Sequence, residues 1–360
     1  MKVVVVGGGV IGCSIAYHLQ KAGASVVLLE RGEIGGEASG AAAGMLIAPI
    51  EDTENEGFNR LRRASLEMYP TLIEDVQEAS GIDVEYKKPG MLRIASTPEM
   101  AAAMRSLTRQ QAGLEWVEQA ELREIEPALT RDVLGGAYSD GDADLNPGLW
   151  TNALGTAAEK LGADIRRRTE ITSFGARGSH VHGVRTGTGD IGADAVVLAA
   201  GPWTGYLSIG VGTSFRTPPM RGQMIAYRSN LLRHALWGER GYLVPKPRGF
   251  LWAGATVEDA GFRKRTTARG IAGLRAMATG YVPALRSAEV ASAWAGLRPG
   301  SPDGLPVIGR VPGKDNTYVA TGHFRNGILL APITGALVAD LALDGRVDER
   351  LVPFGPGRFR

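Results

Sequence analysis

The chain has 360 residues, of which 44% are apolar and 22% are charged, and this length predicts a globular protein of two lobes. Its formal charge is only +2 and charges of both signs are mixed along it, so there is no electrostatic case for a nucleic-acid partner. No uninterrupted apolar stretch of about 18 residues occurs and a single cysteine is present, so we expect a cytoplasmic protein without a membrane span.

The first 30 residues have the pattern of a dinucleotide-binding βαβ unit. Residues 3–6 are four valines, typical of a strand that is buried on both faces. The segment GGGVIG follows at residues 7–12, and a helix after it is predicted to stop at Gly23. Residues 25–30 then form a second predicted strand, which ends in an acid.

Each motif position of this unit has a physical role. Gly7 forms the turn, Gly9 lets the backbone approach a pyrophosphate, and Gly12 lets the helix pack closely on the strand. The helix N-terminus offers free N–H groups and a positive dipole to the phosphates. Glu30 is expected to accept hydrogen bonds from both ribose hydroxyls. Cys13 is interpreted as a small packed residue, although a helix N-terminus can lower the pKa of a thiol.

The segment after Glu30 favours FAD over NAD. Residues 31–46 read RGEIGGEASGAAAGML, a run of small residues that can lie flat against a large planar ligand. Ser39 is expected to donate to a phosphate, whereas Ala43, Gly44 and Met45 are slim enough for backbone contact with a ring system.

Two later stretches are predicted to complete the cofactor lobe. Residues 181–201 predict a hairpin and then a buried strand at 195–199 that leads to Gly201. The segment DGLPVIG at 303–309 is followed by a predicted strand at 318–321.

Helices are predicted between these segments. Residues 52–80 and 98–112 are predicted to be helical, and Asn146 is a natural N-cap for a helix that runs to Gly162. The last helix is predicted to begin at Ala331–Pro332, because proline is favoured in a first helical turn, and to stop near Gly345.

Segments in which apolar and polar residues alternate predict an antiparallel sheet with a lid-like role over the flavin face. These segments are residues 86–96, 222–228, 240–256 with a hairpin about Lys246–Gly249, and 287–300.

Taken together, the spaced motifs resemble the D-amino-acid-oxidase superfamily of FAD enzymes and, within it, the glycine oxidases of thiamine biosynthesis. The motifs that carry the resemblance are GGGVIG, SGAAAGML, VVLAAGPW, GLRP, DGLPVIG and GHFRNGILL, in that order. The resemblance implies an α/β fold with a Rossmann-like FAD-binding domain of the glutathione-reductase type and a discontinuous antiparallel-sheet substrate domain (an α+β second lobe). The FAD-binding domain is predicted to comprise residues 1–82, 145–217 and 296–360, and the substrate domain residues 83–144 and 218–295.

The resemblance also implies a set of site residues. Arg298 would clamp the substrate carboxylate, as a planar guanidinium suits. Tyr242 would assist it, and Arg325 would lie at the substrate rim. The cofactor contacts are expected from Gly7, Gly9, Val10, Ile11, Gly12, Glu30, Arg31, Ser39, Ala43, Gly44, Met45, Ile171, Gly201, His323, Asn326, Gly327, Ile328 and Leu329. The histidines and the cysteine show no ligand spacing, so no metal is expected.

The reaction implied by the resemblance is the FAD-dependent oxidative deamination of glycine, with sarcosine and D-alanine as secondary substrates. Hydride transfer to flavin N5 gives an imine, which yields glyoxylate and ammonia, while O2 becomes hydrogen peroxide. The glycine imine would supply thiazole synthesis in thiamine biosynthesis. A covalent flavin would need a cysteine in the C-terminal lobe, so FAD is expected to be non-covalent. Relatives suggest a homo-oligomer, with a tetramer as one form.

Two positions and several alternatives remain open from the sequence. Val257 lies where the family often carries methionine, which predicts a wider pocket, and Arg240 is a charge near the entrance without an assigned role. The nearer alternatives are a quinone-linked D-amino-acid dehydrogenase and a sarcosine-oxidase-like enzyme. A flavin-dependent tRNA-modification module and a redox-inactive FAD-binding protein are alternatives from other classes. His323 is interpreted as a structural residue beside the flavin rather than as a base.

Overall fold

The computed structural model describes residues 1–48 and 53–359, and in this part of the chain there are eight α-helices and twenty β-strands. The helices are α1 (Val10–Lys21), α2 (Glu56–Ser80), α3 (Pro98–Gln110), α4 (Gln119–Ile125), α5 (Pro147–Lys160), α6 (Thr204–Ile209), α7 (Ala268–Tyr281) and α8 (Gly327–Asp344). The strands are β1 (Lys2–Val6), β2 (Ser25–Leu29), β3 (Met45–Leu46), β4 (Met91–Ala95), β5 (Leu114–Glu118), β6 (Gly135–Ser139), β7 (Ala143–Asp144), β8 (Asp164–Arg166), β9 (Ile171–Arg177), β10 (His180–Thr186), β11 (Gly189–Gly192), β12 (Ala195–Leu198), β13 (Pro219–Arg228), β14 (Ala235–Gly238), β15 (Gly241–Lys246), β16 (Phe250–Gly254), β17 (Glu258–Asp259), β18 (Val290–Pro299), β19 (Val307–Arg310) and β20 (Thr317–Thr321).

A six-stranded sheet in the order β19-β20-β12-β1-β2-β8 forms the centre of one half of the molecule. Its strands are parallel except for β19, which runs antiparallel to β20. Successive valines of β1 point to opposite faces, as the two-residue period of a strand requires. Val3 and Val5 pack into the core with helices α1, α5 and α8, whereas Val4 and Val6 pack with the three-stranded sheet β11-β10-β9. The predicted strand with two buried faces is therefore confirmed.

A nine-stranded sheet forms the centre of the other half. Its order is β17-β13-β16-β15-β14-β4-β6-β5, with β18 paired to the remaining side of β13, and its pairs are antiparallel except for β14 with β4. Helix α7 covers one face, where Leu274 and Met277 share a core with Leu243 and Leu251. The predicted antiparallel sheet is observed, including a hairpin of β15 and β16 about Pro247–Gly249.

The predicted helices over 98–112 and from Asn146 are observed as α3 and α5. The Asn146 side chain accepts a hydrogen bond from the Leu149 N–H at 3.2 Å, which is the expected N-cap. The helix predicted over 52–80 is observed as α2, and position 52 lies outside the described residues.

The predicted domain limits fall between elements, with one exception. Strand β18 pairs with β13 from Val290 to Pro299, so the division before residue 296 passes through a continuous strand. This strand connects the two halves of the molecule directly. The domain limits themselves stay a prediction.

The start of the last helix was predicted wrongly, because α8 begins at Gly327 and Pro332 lies inside it. A proline within a helix leaves the carbonyl four residues earlier without its N–H partner, which costs about 3 kcal/mol. Here the hydroxyl of Tyr69 donates to that carbonyl, on Ile328. The Ser65 hydroxyl donates to the Leu329 carbonyl at 2.6 Å. Side chains of α2 thus replace the missing backbone bond, which the sequence of α8 alone does not reveal.

Helix α8 is long and apolar enough to cross a membrane by length and composition, but 72% of its most apolar window is buried inside the protein. It packs tightly on α1: a Cβ added to Gly335 would lie 2.2 Å from Ser14 Oγ, and that hydroxyl donates to the Ala331 carbonyl at 2.7 Å. These contacts are typical of the core helix of a globular fold.

Candidate cofactor and substrate site

A cavity of about 620 Å³ is lined by residues from both the six-stranded and the nine-stranded sheets. The carboxyl ends of β1 and β12 contribute one part of its wall, which is where parallel sheets of this kind bind ligands. Strands β13, β15 and β18 contribute the other part. The cavity can therefore hold a long ligand that reaches from the glycine-rich turn to the antiparallel sheet.

The glycine-rich turn has no room for a side chain at Gly7 or at Gly12. Gly7 has a φ of 112°, and a Cβ added there would lie 2.5 Å from the Ala199 carbonyl oxygen. A Cβ on Gly12 would lie 1.9 Å from the Gly7 carbonyl oxygen. Gly12 does not line the cavity. Its role is to let α1 pack against the turn, as its place in the motif predicts.

Two side chains fix the turn from outside. The Val10 N–H donates to Ser39 Oγ at 2.9 Å, so Ser39 ties the small-residue segment to the start of α1 while its own hydroxyl proton remains to be donated. Glu30 accepts from the Gly8 and Gly32 N–H groups, both at 2.7 Å. A carboxylate oxygen accepts more than one hydrogen bond, so Glu30 keeps capacity for ribose hydroxyls.

An aromatic wall that the sequence did not reveal borders the same end, beside the predicted Arg31. Trp203 and Tyr206 line the cavity, and the Arg31 guanidinium lies 3.8 Å from the centre of the Trp203 ring. Phe262 packs on both aromatic rings, at 5.1 and 5.5 Å between centroids. Lys264, in the same segment, donates to the Gly36 carbonyl at 2.7 Å. The loop after β17 therefore fastens the nine-stranded sheet to the cofactor side.

Arg298 and Tyr242 lie together at the opposite end, on β18 and β15. One Arg298 nitrogen donates to the Thr256 carbonyl at 3.0 Å, and a Cβ on Gly222 would lie 2.4 Å from the guanidinium. Gly222 therefore leaves the space that the guanidinium fills. Burial raises the pKa of Tyr242, so its hydroxyl stays protonated and can donate. Burial also lowers the pKa of Arg298, with nearby Arg325 adding to the effect and Tyr242 opposing it.

The segment before α8 brings a further cation and a helix terminus to the cavity. The Arg325 guanidinium lies 5.8 Å from the centre of the Trp237 ring. Phe324 has a φ of 47°, in the left-handed region that few bulky residues adopt, and this turns the chain sharply into α8. The first N–H groups of α8 belong to Gly327, Ile328 and Leu329, which line the cavity, so the positive end of the helix dipole faces it.

His323 is buried beside this terminus. Its Nε2 lies 3.2 Å from Thr334 Oγ1, whereas its Nδ1 has no hydrogen-bond partner among the described residues. Burial lowers its pKa to about 3, so the ring is neutral at physiological pH and too weakly basic to accept a proton readily. His323 itself lines the cavity beside the first turn of α8.

Cys13 is buried and its thiol lies 3.6 Å from the Gly8 carbonyl oxygen. Burial and, to a smaller extent, the Glu30 charge raise its pKa to about 12, opposite to the lowering that a helix N-terminus produces. The thiol does not line the cavity. Within residues 1–48 and 53–359 no cluster of His, Cys, Asp and Glu side chains could hold a metal ion.

The structure brings every predicted site residue to this cavity except Gly12. The lining residues that sequence reasoning missed come from outside the motifs or from their unremarked positions. They include Gly8, Trp203, Tyr206, Gly222, Met224, Trp237, Glu239 and Phe324, whereas Val257 and Arg240, which the sequence placed at the pocket and its entrance, line the cavity as expected. The alternation of β13 is a sequence signal for Gly222 and Met224, because residues two apart share a sheet face. Gly8, Trp203 and Phe324 lie inside quoted motifs.

The arrangement fits FAD. The turn and the α1 terminus suit phosphates, Glu30 suits a ribose, and the small residues Ala43, Gly44 and Met45 leave space for a flat ring beside the α8 terminus. His323 lies on the same wall.

Comparisons with known proteins agree with this arrangement. The family described as DAO, FAD dependent oxidoreductase, matches residues 2–341. Glycine oxidase of Bacillus licheniformis is 36% identical over 349 residues, which are 96% of this chain and 93% of that protein. The crystal structure of glycine oxidase from Geobacillus kaustophilus matches with a TM-score of 0.93 and 35% identity, covering 98% of this chain and 97% of that one. A bifunctional protein ThiO/ThiG of Trichormus variabilis is 34% identical over 99% of this chain and 55% of that protein.

Proposed function

Because the chain belongs to the DAO family of FAD dependent oxidoreductases, we propose that it oxidises glycine, and more slowly sarcosine and D-alanine, to imines that hydrolyse to glyoxylate or another oxo acid. The observation that carries the proposal is the half-buried Arg298 guanidinium, which shares the FAD-compatible cavity with the Tyr242 hydroxyl. Relatives named glycine oxidase that match nearly the whole chain support the choice of substrate.

The residues of the chain hold the cofactor by its shape and charge. The first turn of α1 and Ser39 would bind the phosphates, and Glu30 the ribose. Ala43, Gly44 and the start of α8 would hold the ring. The bound FAD supplies the acceptor for the two electrons and the hydrogen that leave the substrate carbon. Cys13 lies off the cavity wall, so the proposed attachment is non-covalent.

Arg298 is the proposed anchor for the substrate carboxylate. Its guanidinium donates to the Thr256 carbonyl and packs against Gly222. Because it is already fixed in this way, little side-chain freedom is lost on binding. A half-buried cation without a carboxylate beside it is partly desolvated, and the substrate offsets that cost when a bidentate pair forms. Tyr242 would donate a further hydrogen bond to the same carboxylate.

Position and field, rather than a strong base, are proposed to promote the reaction. His323 has a pKa of about 3 and cannot hold a proton near neutral pH. The amine would therefore bind in its neutral form, after releasing its proton to water, and the nearby Arg298 and Arg325 and the positive end of α8 favour that form. Orientation of the Cα–H bond by the carboxylate clamp would supply much of the rate.

The remaining parts of the proposal concern acceptor, pathway and assembly. We propose O2 as the final acceptor and hydrogen peroxide as its product. The similarity to about half of a bifunctional ThiO/ThiG protein supports delivery of the glycine imine to thiazole synthesis in thiamine biosynthesis. A cytoplasmic homo-oligomer, with a tetramer as one form, stays a prediction.

A two-stage assay tests the reaction. Purified protein with bound flavin receives glycine without air, and the flavin absorption band is expected to bleach. Oxygen is then admitted and hydrogen peroxide is measured. Bleaching with little peroxide would favour a quinone-linked dehydrogenase, and bleaching only with tRNA would favour RNA modification. A flavin band unchanged by any amine or amino acid would overturn the proposal.

Arg298→Ala tests the anchor. The KM for glycine is expected to rise about 10- to 100-fold, as loss of a charged hydrogen-bonding group implies, while flavin content stays unchanged. Arg286→Ala removes an exposed arginine that does not line the cavity and should leave the KM within error. Loss of flavin from the Arg298 variant, or an unchanged KM, would show that the anchor is assigned wrongly.

A further inference from the structure

A two-residue turn at the mouth of the cavity carries one acid and one base. Strands β14 and β15 pair Trp237 with Tyr242 and Gly238 with Gly241, so Glu239 and Arg240 alone form the connection between them. Both turn residues are exposed, and both line the cavity. Trp237 and Tyr242, the pair next to the turn, also line it. The turn therefore projects from the same strands that carry the proposed carboxylate clamp.

The backbone of this turn is fixed from behind. The Arg240 N–H donates to the Tyr281 hydroxyl at 2.9 Å, and Tyr281 is a buried residue of α7. A Cβ on Gly238 would lie 2.4 Å from that hydroxyl, and one on Gly241 would lie 2.5 Å from the Gly254 carbonyl oxygen. Close packing on both sides holds the turn at one place, so it presents its side chains at a defined distance from Arg298.

The Arg240 guanidinium forms no hydrogen bond or ion pair with any residue in the described part of the chain, and neither does the Glu239 carboxylate. It is one of four arginines on the cavity wall, with Arg31 at the cofactor end and Arg298 and Arg325 nearer to it. Glycine has one carboxylate, which Arg298 and Tyr242 would occupy. Glycine therefore leaves the guanidinium at the mouth without a partner.

The wall beside the turn leaves room for a longer substrate. Val257 is 51% exposed and lines the cavity with Ala255, and both side chains are short. A substituent on the amine or on the α-carbon of the substrate would extend from Arg298 and Tyr242 along this wall toward the turn. Its length would decide whether it reaches Arg240.

We propose that Arg240 binds a second carboxylate, so that the site takes amino dicarboxylates as well as glycine. This inference rests on the proposed function, because it uses Arg298 as the anchor for the first carboxylate. Glu239 opposes it, since its negative charge lies on the adjacent residue. The turn therefore sets specificity by the balance of two charges, and each charge can be removed separately.

Ligands that cannot be oxidised test the inference independently of turnover. The flavin-containing protein is titrated with acetate, malonate, succinate and glutarate, and binding is followed by the shift of the flavin band. One dicarboxylate is expected to bind several-fold more tightly than acetate, and its length reports the span from Arg298 to Arg240. Turnover of iminodiacetate and D-aspartate relative to glycine then shows whether the second carboxylate lies on the nitrogen or on the carbon substituent.

Arg240→Gln should weaken the best dicarboxylate about five-fold, which is the effect of an exposed ion pair, and leave acetate within two-fold. Glu239→Gln is the matched control of opposite sign and should tighten the dicarboxylate. Both effects should shrink at high salt. Equal changes for acetate and dicarboxylate, or no change, would overturn the inference. Tight dicarboxylate binding through Arg240 without glycine oxidation would instead overturn the proposed function and leave only the binding of a second carboxylate by Arg240 standing.

Discussion

The two ends of the cavity are built in different ways. At the glycine-rich end the chain offers backbone groups, and the side chains that matter are those that are missing, as at Gly7 and Gly12. At the other end the chain offers side chains, with Arg298 and Tyr242 brought together from strands that are distant in sequence. The first end is therefore sensitive to shape and the second to charge. Substitutions that separate these two sensitivities test the comparison.

The largest effect is expected from Gly12→Ala. The new Cβ would lie 1.9 Å from the Gly7 carbonyl oxygen, and neither backbone can move away cheaply. We expect loss of bound flavin and a fall in stability of about 1–3 kcal/mol, as for overpacked cores. Flavin absorbance per protein and thermal unfolding measure these changes.

Gly273→Ala provides the control for this prediction. Gly273 lies in α7, and apart from the adjacent backbone of that helix no atom lies within 4 Å of its added Cβ. Alanine in a helix interior should be neutral or stabilise by about 0.5–1 kcal/mol. Retention of flavin by the Gly12 variant at the level of this control would contradict the shape-sensitive description.

A smaller and different effect is expected from Gly222→Ala at the other end. The new methyl group would lie 2.4 Å from the Arg298 guanidinium, the flexible end of a side chain, so the fold should tolerate it. Displacement of the guanidinium should lower kcat/KM for glycine about 10- to 100-fold while flavin stays bound. In an Arg298→Ala background the same substitution should change nothing further. A full additional loss in the double variant would show that Gly222 acts by another route.

The smallest effect concerns the pH dependence of stability, to which two histidines with lowered pKa values contribute and the arginines of the second end do not. Burial lowers the pKa of His323 to about 3 and that of His18 to about 4, from an ordinary value of 6.5. Below pH 6.5 the unfolded chain therefore binds protons that the folded chain refuses, so stability falls with falling pH. The fall is at most about 1.4 kcal/mol per pH unit for each histidine.

Urea unfolding at pH 7.5 and pH 5.5 checks this sign. His18→Gln should reduce the difference between the two pH values, whereas His182→Gln, at an exposed position, should not. An unchanged or inverted difference in the His18 variant would contradict the assignment.

Sequence reasoning reached the glycine-rich end because local rules define it. A short-range physical cause explains the spacing of the three glycines and the acid at Glu30. The structure places Gly7, Gly9 and Glu30 on the cavity wall as expected, whereas Gly12 lies behind it. The roles of Arg298 and Tyr242 came from the family resemblance, since no spacing rule joins residues that meet only through sheet pairing.

Three features depended on packing between distant elements and were missed for that reason. The start of α8 depended on hydroxyl groups of α2 that compensate for Pro332. The Trp203 and Tyr206 wall depended on Phe262 from the other sheet. The rigidity of the Glu239–Arg240 turn depended on Tyr281. In each case the deciding atom belongs to an element that the local pattern does not include.

The burial of Cys13 bears on how the protein would resist oxidation by the hydrogen peroxide that it is proposed to make. Peroxide attacks thiolates, and a thiol whose pKa is about 12 is almost wholly protonated in the cell. Oxidative ageing would then fall on sulfur atoms nearer the source. Met224 lines the cavity, and its sulfur lies 3.5 Å from the Tyr242 hydroxyl. A sulfoxide there would replace an apolar thioether with a polar group beside Tyr242. The affinity for the substrate would then fall before the flavin was lost.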